Sequence, residues 1–194
     1  MAFKTIYVTG APASGKSSTL RLLQSKVADI LLWEYGSRLT EYLQRQGSRL
    51  TDQAELREKS ALIVRPADVE TLDQELLQWT EQGRLRSHVL IDSHPVTKEQ
   101  HGFRVTAFSS EKIQQLRPDE IWVFYTSPET TLNRIQQKAE GRPIITVEEA
   151  RMHTQTQAAV ATTYGVLCGC PVYMYDSDRD QMELVEMLMA RLAK

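Results

Sequence analysis

The sequence has little cysteine, little excess charge of either sign and no long apolar run. Its 194 residues include two cysteines, Cys168 and Cys170. A single C-x-C pair provides neither a disulfide framework nor the four ligands of a zinc site, so we interpret both as reduced core thiols. The 23 basic and 25 acidic residues give a formal net charge of −2, which excludes a general positive field for binding nucleic acid. A membrane helix needs roughly 18 consecutive apolar residues, and no segment has them, so no membrane partner is expected.

The length and the composition favour one globular α/β domain over residues 1–194. A chain of this length buries most of its surface around a single core. Hydrophobic residues at 41% and charged residues at 25% are typical of folded proteins. The run Thr5-Ile6-Tyr7-Val8 is too short for the apolar region of a signal peptide, so we expect a cytoplasmic protein.

Five apolar segments predict the strands of a mostly parallel sheet. They are continuous rather than alternating, as is typical of strands that helices cover on both faces. The predicted strands are 5–9, 30–33, 88–92, 121–125 and 172–175, and helical patterns occupy 16–27, 128–138, 147–164 and 180–193. A largely helical stretch also covers about 37–83. The pattern predicts a doubly wound, three-layer α/β fold with helices on both faces of the sheet.

A phosphate-binding motif separates the first strand from the first helix. The segment from Gly10 to Ser17 satisfies G-x-x-x-x-G-K-[ST] at every fixed position, in the strand-to-helix context that this motif requires. Its backbone N–H groups can point at a triphosphate, while Lys16 reaches the outer phosphates and the Ser17 hydroxyl can bind Mg²⁺. The residues expected to bind ATP are Gly10, Ala11, Pro12, Ala13, Ser14, Gly15, Lys16, Ser17 and Ser18. The motif therefore predicts a P-loop NTPase fold.

A carboxylate at the end of a neighbouring strand would complete the magnesium site. Asp92 follows the apolar run Val89-Leu90-Ile91 and is our candidate. An acid at a strand end can also be a simple turn or cap residue. Together with the loop, Asp92 indicates hydrolysis or transfer of a terminal phosphoryl group and leaves the acceptor open.

Segments outside the loop match a known family. They are Val8-Thr9-Gly10-Ala11-Pro12, Tyr35-Gly36-Ser37, Thr51-Asp52-Gln53, Ile91-Asp92-Ser93-His94, Lys98 with Gly102-Phe103, Leu116-Arg117-Pro118-Asp119 and Ala161-Thr162-Thr163-Tyr164-Gly165-Val166-Leu167. On these residues the chain resembles the archaeal-type adenylate kinases, a branch of the small P-loop nucleoside monophosphate kinases. The resemblance implies transfer of the ATP γ-phosphate to a nucleoside monophosphate, with AMP favoured and with Mg²⁺. It also implies a sheet of order 2-3-1-4-5, a helical acceptor-binding lobe over 37–83 and a short lid over 134–146.

The resemblance further implies several site residues. The acceptor would contact Gly36, Ser37, Arg38, Arg57 and His94, although each arginine could equally be a solvated charge on a helix. The turn with Asp178 and Arg179 would cover the adenine of ATP. Basic residues around the lid are Arg134, Lys138 and Arg142, and we expect Lys16, Asp92, Arg134 and Arg142 to be catalytic. His153 is expected to face the lid or solvent.

One departure from the family concerns the helix that follows the lid. Where the family has an arginine before its Tyr-Gly-Val-Leu segment, this chain has Gln157-Ala158-Ala159. The change allows a slow kinase, an altered acceptor, compensation by Arg151, or a protein that binds ATP to switch. Two alternatives to the monophosphate kinase therefore stay open. One is an ATP-binding regulatory or interaction protein with a degenerate kinase site, and the other is a P-loop kinase for a non-nucleotide small molecule. The sequence leaves the oligomeric state undetermined.

Overall fold

A computed structural model describes residues 3–48, 51–52, 54–56, 63–99, 101–137 and 144–194. Within these residues, seven strands and seven helices have both ends defined. The strands are β1 (Thr5–Gly10), β2 (Ile30–Glu34), β3 (His88–Asp92), β4 (Val96–Glu99), β5 (Gly102–Val105), β6 (Glu120–Tyr125) and β7 (Val172–Asp176). The helices are α1 (Lys16–Lys26), α2 (Tyr35–Arg45), α3 (Pro66–Gly83), α4 (Ser110–Leu116), α5 (Pro128–Gln137), α6 (Val147–Cys168) and α7 (Gln181–Leu192).

Five of the strands form one parallel sheet in the order β2-β3-β1-β6-β7. If the two strands of the separate β4–β5 pair are not counted, this is the order 2-3-1-4-5, and the fold class is confirmed. The register places Val8 of β1 beside Asp92 of β3 and beside Trp122 of β6. Because all five strands run the same way, the phosphate loop after β1 and Asp92 at the end of β3 lie at the same edge of the sheet.

Alternate residues of each strand enter two separate cores. On β1, Ile6 and Val8 face α1 and α7, whereas Tyr7 between them faces α3, α4 and α6. All three side chains are fully buried. A strand that is buried on both faces has no polar side, which explains why the sequence shows continuous apolar runs.

The β4–β5 hairpin was not predicted. Its strands have four residues each, pair antiparallel and carry charged side chains such as Lys98 and Arg104. Such short, half-buried strands lack the apolar run by which the five main strands were recognised. The segment Val96–Val105 does contain the weaker signal of two β-prone runs around Gly102.

The proposed acceptor-binding lobe and lid are only partly described. Within 37–83, α2 begins directly after β2 and α3 ends the segment, while Leu43 and Leu56 share a small core. Residues 49–50, 53 and 57–62 of the lobe, and 138–143 of the lid, lie outside the described residues. The boundaries of both units stay predictions.

No helix in the described part of the chain combines the length and the apolar character needed to cross a membrane.

Glu120 at the start of β6 fastens the last helix to the sheet. Its side chain is 3% exposed and lies 2.8 Å from Lys4 Nζ and 2.8 Å from Arg191 Nη2, and it accepts a bond from Trp122 Nε1 at 2.9 Å. Burial alone would raise the pKa of Glu120, but the bonds from Arg191, Lys4 and Trp122 outweigh burial and lower it. A carboxylate with a lowered folded pKa stabilises the fold fully above its unfolded pKa and loses that contribution as the pH falls through the folded value.

We therefore expect Glu120→Gln to destabilise the protein at pH 7 by about 1–3 kcal/mol, the range for a hydrogen bond to a charged group. Below about pH 5, where unfolded glutamate begins to bind protons, wild type should lose stability faster than the variant does. Thermal unfolding followed by circular dichroism from pH 7 to pH 3 measures both. The exposed Glu186→Gln on α7 is the control, and parallel curves for wild type and Glu120→Gln would contradict this role.

Candidate active site

An open cavity of about 1280 Å³ lies at the carboxyl ends of the parallel strands. The phosphate loop forms one end of it, and α3, the β4–β5 hairpin and the segment before α4 form the other. Ordinary ligand pockets measure roughly 300–1000 Å³, so this cavity has room for two ligands side by side.

The backbone conformation of the phosphate loop restricts which side chains it can carry. A Cβ atom added to Gly10 would lie 2.5 Å from the Phe124 carbonyl oxygen and 2.9 Å from Ser14 Oγ. Gly15, with φ of +76°, is the N-cap of α1. Ala13 has the left-handed φ of +63° without being a glycine, and Ser14 N donates to the Ala11 carbonyl at 3.2 Å. The turn thus brings the N–H groups of α1's first turn to the cavity, which suits an anion.

Asp92 contacts both Lys16, the candidate phosphate-binding residue, and Ser17, the candidate magnesium ligand. Its carboxylate is 5% exposed, forms an ion pair with Lys16 Nζ, and accepts a hydrogen bond from Ser17 Oγ at 2.8 Å. A hydroxyl and a carboxylate oxygen side by side are the hard ligands that Mg²⁺ prefers when it also binds phosphates. The residues present therefore fit a phosphate-bound magnesium ion.

Arg134 of α5 lies against the phosphate loop. Its two terminal nitrogens donate to the carbonyls of Ala13 at 3.1 Å and Ser177 at 2.9 Å. Ser177 Oγ in turn donates to the Ser14 carbonyl at 2.6 Å. These bonds connect α5, the loop and the turn after β7, so a cation from the predicted lid region stands beside the place where phosphates would bind.

The two residues expected to cover adenine differ in position. Arg179 lines the cavity, with its Nε donating to the Asp176 carbonyl at 3.0 Å. Asp178 does not line it, because its carboxylate accepts bonds from Thr126 Oγ1 and from Ser127 N and so faces the start of α5. Partial burial opposes the charge, but these bonds lower the pKa of Asp178.

The residues expected at the acceptor are also divided. Gly36 and His94 line the cavity. Ser37 and Arg38 do not line it, and the Arg38 guanidinium lies 5.1 Å from the centroid of the Trp33 ring on the outside of the lobe. The remaining candidates Arg57, Lys138 and Arg142 lie outside the described residues.

A charged group that sequence reasoning missed lines the end of the cavity away from the phosphate loop, which we call the acceptor end after the role predicted for it. Lys112 Nζ, near the start of α4, donates to Glu70 at 2.6 Å and to Asp73 at 2.8 Å on α3. The second Asp73 oxygen accepts a bond from the Tyr35 hydroxyl at 2.7 Å. Burial raises the pKa of Asp73 against the opposing effect of these bonds. We call Glu70, Asp73 and Lys112 the acidic wall, and the i,i+3 spacing of its two acids was the available signal.

The hairpin contributes further lining residues to this end of the cavity. Lys98, Arg104 and Thr106 line the cavity there, as does His153 of α6. His153 does not face solvent, because it is 2% exposed and its Nε2 lies 3.0 Å from the Val96 carbonyl. Its expected position towards the lid stays a prediction. Burial lowers the pKa of His153, so the ring is neutral at pH 7.

The position of the missing family arginine carries no cation. Gln157 is fully buried and its amide donates to Thr9 Oγ1 behind the phosphate loop, while Ala158 packs against the core. Arg151, one candidate for compensation, has a side chain that is 47% exposed and bonded to Glu148. It does not line the cavity.

Sequence comparison gives a family and one curated relative. A family model described as an AAA domain matches residues 9–151. The adenylate kinase of Methanothermobacter thermautotrophicus is 22% identical over 182 residues, which are 93% of this chain and 94% of that protein.

Structure comparison finds kinases that are named for different substrates. A shikimate kinase from Acinetobacter baumannii in complex with shikimate superposes with a TM-score of 0.57 at 15% identity, covering 98% of this chain and 93% of that one. A deoxyadenosine kinase from M. mycoides superposes with a TM-score of 0.54 at 12% identity, covering 97% and 98%. At such low identity the likeness establishes the fold.

The geometry predicts that Lys16 is needed for nucleotide affinity. Lys16→Ala removes the cation at the loop and leaves the Asp92 carboxylate unbalanced beside the phosphates. We expect the affinity for ATP with Mg²⁺ to fall at least tenfold in calorimetry, since hydrogen bonds to charged groups contribute about 1.5–3 kcal/mol. The exposed Lys26→Ala at the end of the same helix should bind like wild type. Unchanged ATP affinity in a folded Lys16→Ala protein would exclude the assignment.

Proposed function

The chain belongs to the AAA domain family, and from this premise we propose that it transfers the γ-phosphate of ATP to a nucleoside monophosphate, with AMP as the favoured acceptor. It is a phosphotransferase of the P-loop kinase class. The observation that carries the proposal is the joint contact of Lys16 and Ser17 with Asp92, at the phosphate-loop end of a cavity large enough for two ligands. The predicted cytoplasmic location remains part of the proposal.

The donor would bind at the loop. Its phosphates would accept hydrogen bonds from backbone N–H groups between Gly10 and Ser18. Lys16 would leave its ion pair with Asp92 and bind phosphate oxygens instead. Ser17 and Asp92 would hold Mg²⁺, which when bound offsets negative charge on the phosphoryl oxygens. Arg179 borders this end of the cavity, where the adenine would lie.

Transfer of a phosphoryl group requires positioning and charge stabilisation more than covalent chemistry from the protein. Arg134 is suited to this role, because its guanidinium already lies at the loop and would lie close to the phosphates. Arg142 stays a candidate for the same role. Asp92 would act by orienting the ligands around it.

The choice of a monophosphate acceptor is supported by the full-length similarity to an adenylate kinase and by the second ligand space next to the loop. A shikimate kinase and a deoxyadenosine kinase share this fold, so shikimate and deoxyadenosine are the acceptors to compare with the nucleoside monophosphates.

A coupled assay for ADP formation tests the proposal. The acceptors are AMP, CMP, UMP, GMP, shikimate and deoxyadenosine, with ATP alone as the background. We expect AMP to give the highest rate above background. Asp92→Asn should lower kcat by at least a hundredfold with ATP still bound, since metal-assisted charge stabilisation is lost, whereas the exposed Asp29→Asn should not. A rate that no acceptor raises above the background would favour the regulatory binder, and a preference for shikimate would favour a non-nucleotide kinase.

A second prediction separates Arg134 from Arg151, the two arginines that were considered as sources of charge for the transfer. Arg134→Gln should lower kcat by about a hundredfold, as loss of a donor to transition-state charge does. Arg151→Gln should leave kcat within about twofold, because its side chain points away from the cavity and pairs with Glu148. Melting temperatures control for folding. A collapse of kcat in Arg151→Gln alone would show that α6 supplies the missing charge after all.

A further inference from the structure

We propose that the β4–β5 hairpin forms the subsite for the phosphate group of the acceptor, with Lys98 and Arg104 as its cations. The inference rests on the proposed function, because it assigns one end of the same cavity. It concerns phosphate monoesters as a ligand class and is independent of which base the acceptor carries.

Lys98 and Arg104 both border the cavity and both have acidic partners on or near the hairpin. Lys98 Nζ lies 3.2 Å from Glu149 Oε1 and donates to the Glu99 carbonyl at 2.8 Å. Arg104 Nε lies 2.7 Å from Glu99 Oε1. Lys98 and Arg104 line the cavity, while Glu99 and Glu149 do not. The cavity lining at the hairpin therefore includes the two basic residues and neither of their acidic partners.

A phosphate monoester is a stronger partner than either carboxylate. It carries about −1.5 to −2 charges at pH 7 and three acceptor oxygens, so it can bridge a lysine and an arginine at once. The ion pairs restrict both side chains before the acceptor binds, which lowers the ordering cost of binding.

The hairpin holds these cations in a fixed position relative to Asp92. Its base is closed by a bond from Thr106 N to the Pro95 carbonyl at 2.7 Å, three residues after Asp92. Its far side packs on α6, where the Phe103 and His153 rings contact edge to face with centroids 5.1 Å apart. The acceptor phosphate would thus be bound at a set place beside the end of β3.

The acidic wall is a poorer place for the same phosphate. Lys112 there is bonded to two carboxylates, so that the group of Glu70, Asp73 and Lys112 has a net charge of −1 when all three are ionised. The two sides of the acceptor end differ in charge, which would orient the acceptor with its phosphate at the hairpin and its hydrogen-bond donors at Asp73.

Because α6 lacks the family arginine, the cavity depends on other elements for its cations. Ala158 has no charge, Gln157 is turned to Thr9, and His153 is held neutral by burial. Among the described residues, α6 therefore presents no cation to the cavity, and the hairpin next to it presents two.

Paired substitutions test the subsite. Arg104→Gln and Lys98→Gln should each raise the KM for AMP about ten- to a hundredfold, in line with loss of a charge-assisted hydrogen bond, with the KM for ATP unchanged. Glu99→Gln and Glu149→Gln break the same ion pairs but keep the cations, so they should leave the KM for AMP unchanged or lower it. In Glu149→Gln, the side-chain amide oxygen can still accept the capping bond from Thr146 N. Compared with Arg104→Gln, Arg104→Lys should restore part of the affinity for AMP.

The KM pattern distinguishes binding from hairpin folding. The glutamate variants could raise the KM for AMP as much as the cation variants do. In that case Lys98 and Arg104 act by stabilising the hairpin through their ion pairs, and the proposed phosphate subsite is wrong. Arg86→Ala, an exposed change between α3 and β3, is the neutral control.

Binding measurements keep the subsite apart from the kinase assignment. Calorimetry with AMP and with adenosine, in the presence of a non-hydrolysable ATP analogue, should show that Arg104→Gln weakens AMP and leaves adenosine unchanged. This result would support the subsite even if no monophosphate is turned over. Equal affinities of wild type and Arg104→Gln for AMP, or no AMP binding by wild type, would overturn it whatever the assay shows.

Discussion

The contact of Asp92 with Lys16 and Ser17 is the interaction on which the candidate site depends. A carboxylate that is 5% exposed needs a partner, and the parallel register of β1 and β3 brings the phosphate loop to it. The contact therefore joins the strand that carries the acid to the loop that carries the cation. Since bound phosphates would compete with Asp92 for Lys16, this ion pair also bears on how tightly the loop would bind a nucleotide.

The donor end was largely predictable because its residues are close in sequence. Nine consecutive residues form the loop, and the strand-to-helix context is readable from hydrophobic pattern alone. Asp92 needed only the further assumption of a parallel sheet, which the continuous apolar runs indicated. Arg134 was chosen for its charge near the lid, but its bonds to Ala13 and Ser177 depend on how α5 and the turn after β7 pack, which no local pattern encodes.

The acceptor end was less predictable because separate segments build it. Tyr35, Asp73, Lys98, Arg104 and Lys112 come from two helices, a hairpin and the start of a third helix, and each is an unremarkable surface residue when read locally. Arg38 shows the converse, since a residue next to a family motif turned out to lie over Trp33 outside the cavity. Charge balance at such a site is a property of the folded chain, because ion pairs such as Lys112 with Asp73 span 39 positions in sequence.

The distribution of cations also bears on how the enzyme would divide its binding energy. A cation that arrives with a closing lid contacts phosphoryl oxygens mainly in the transition state and raises kcat, whereas a cation fixed in the ground state binds substrate and transition state alike and lowers KM. In this chain the α6 position of the family arginine is Ala158, and the hairpin cations are held by ion pairs and by packing on His153 and Phe103. Among the described residues that line this part of the cavity, cations thus lie on the hairpin and none lies on α6. If the hairpin binds the acceptor phosphate as proposed, these fixed cations would lower the KM for the acceptor, and charge for the transition state would have to come from Arg134 and from the predicted lid.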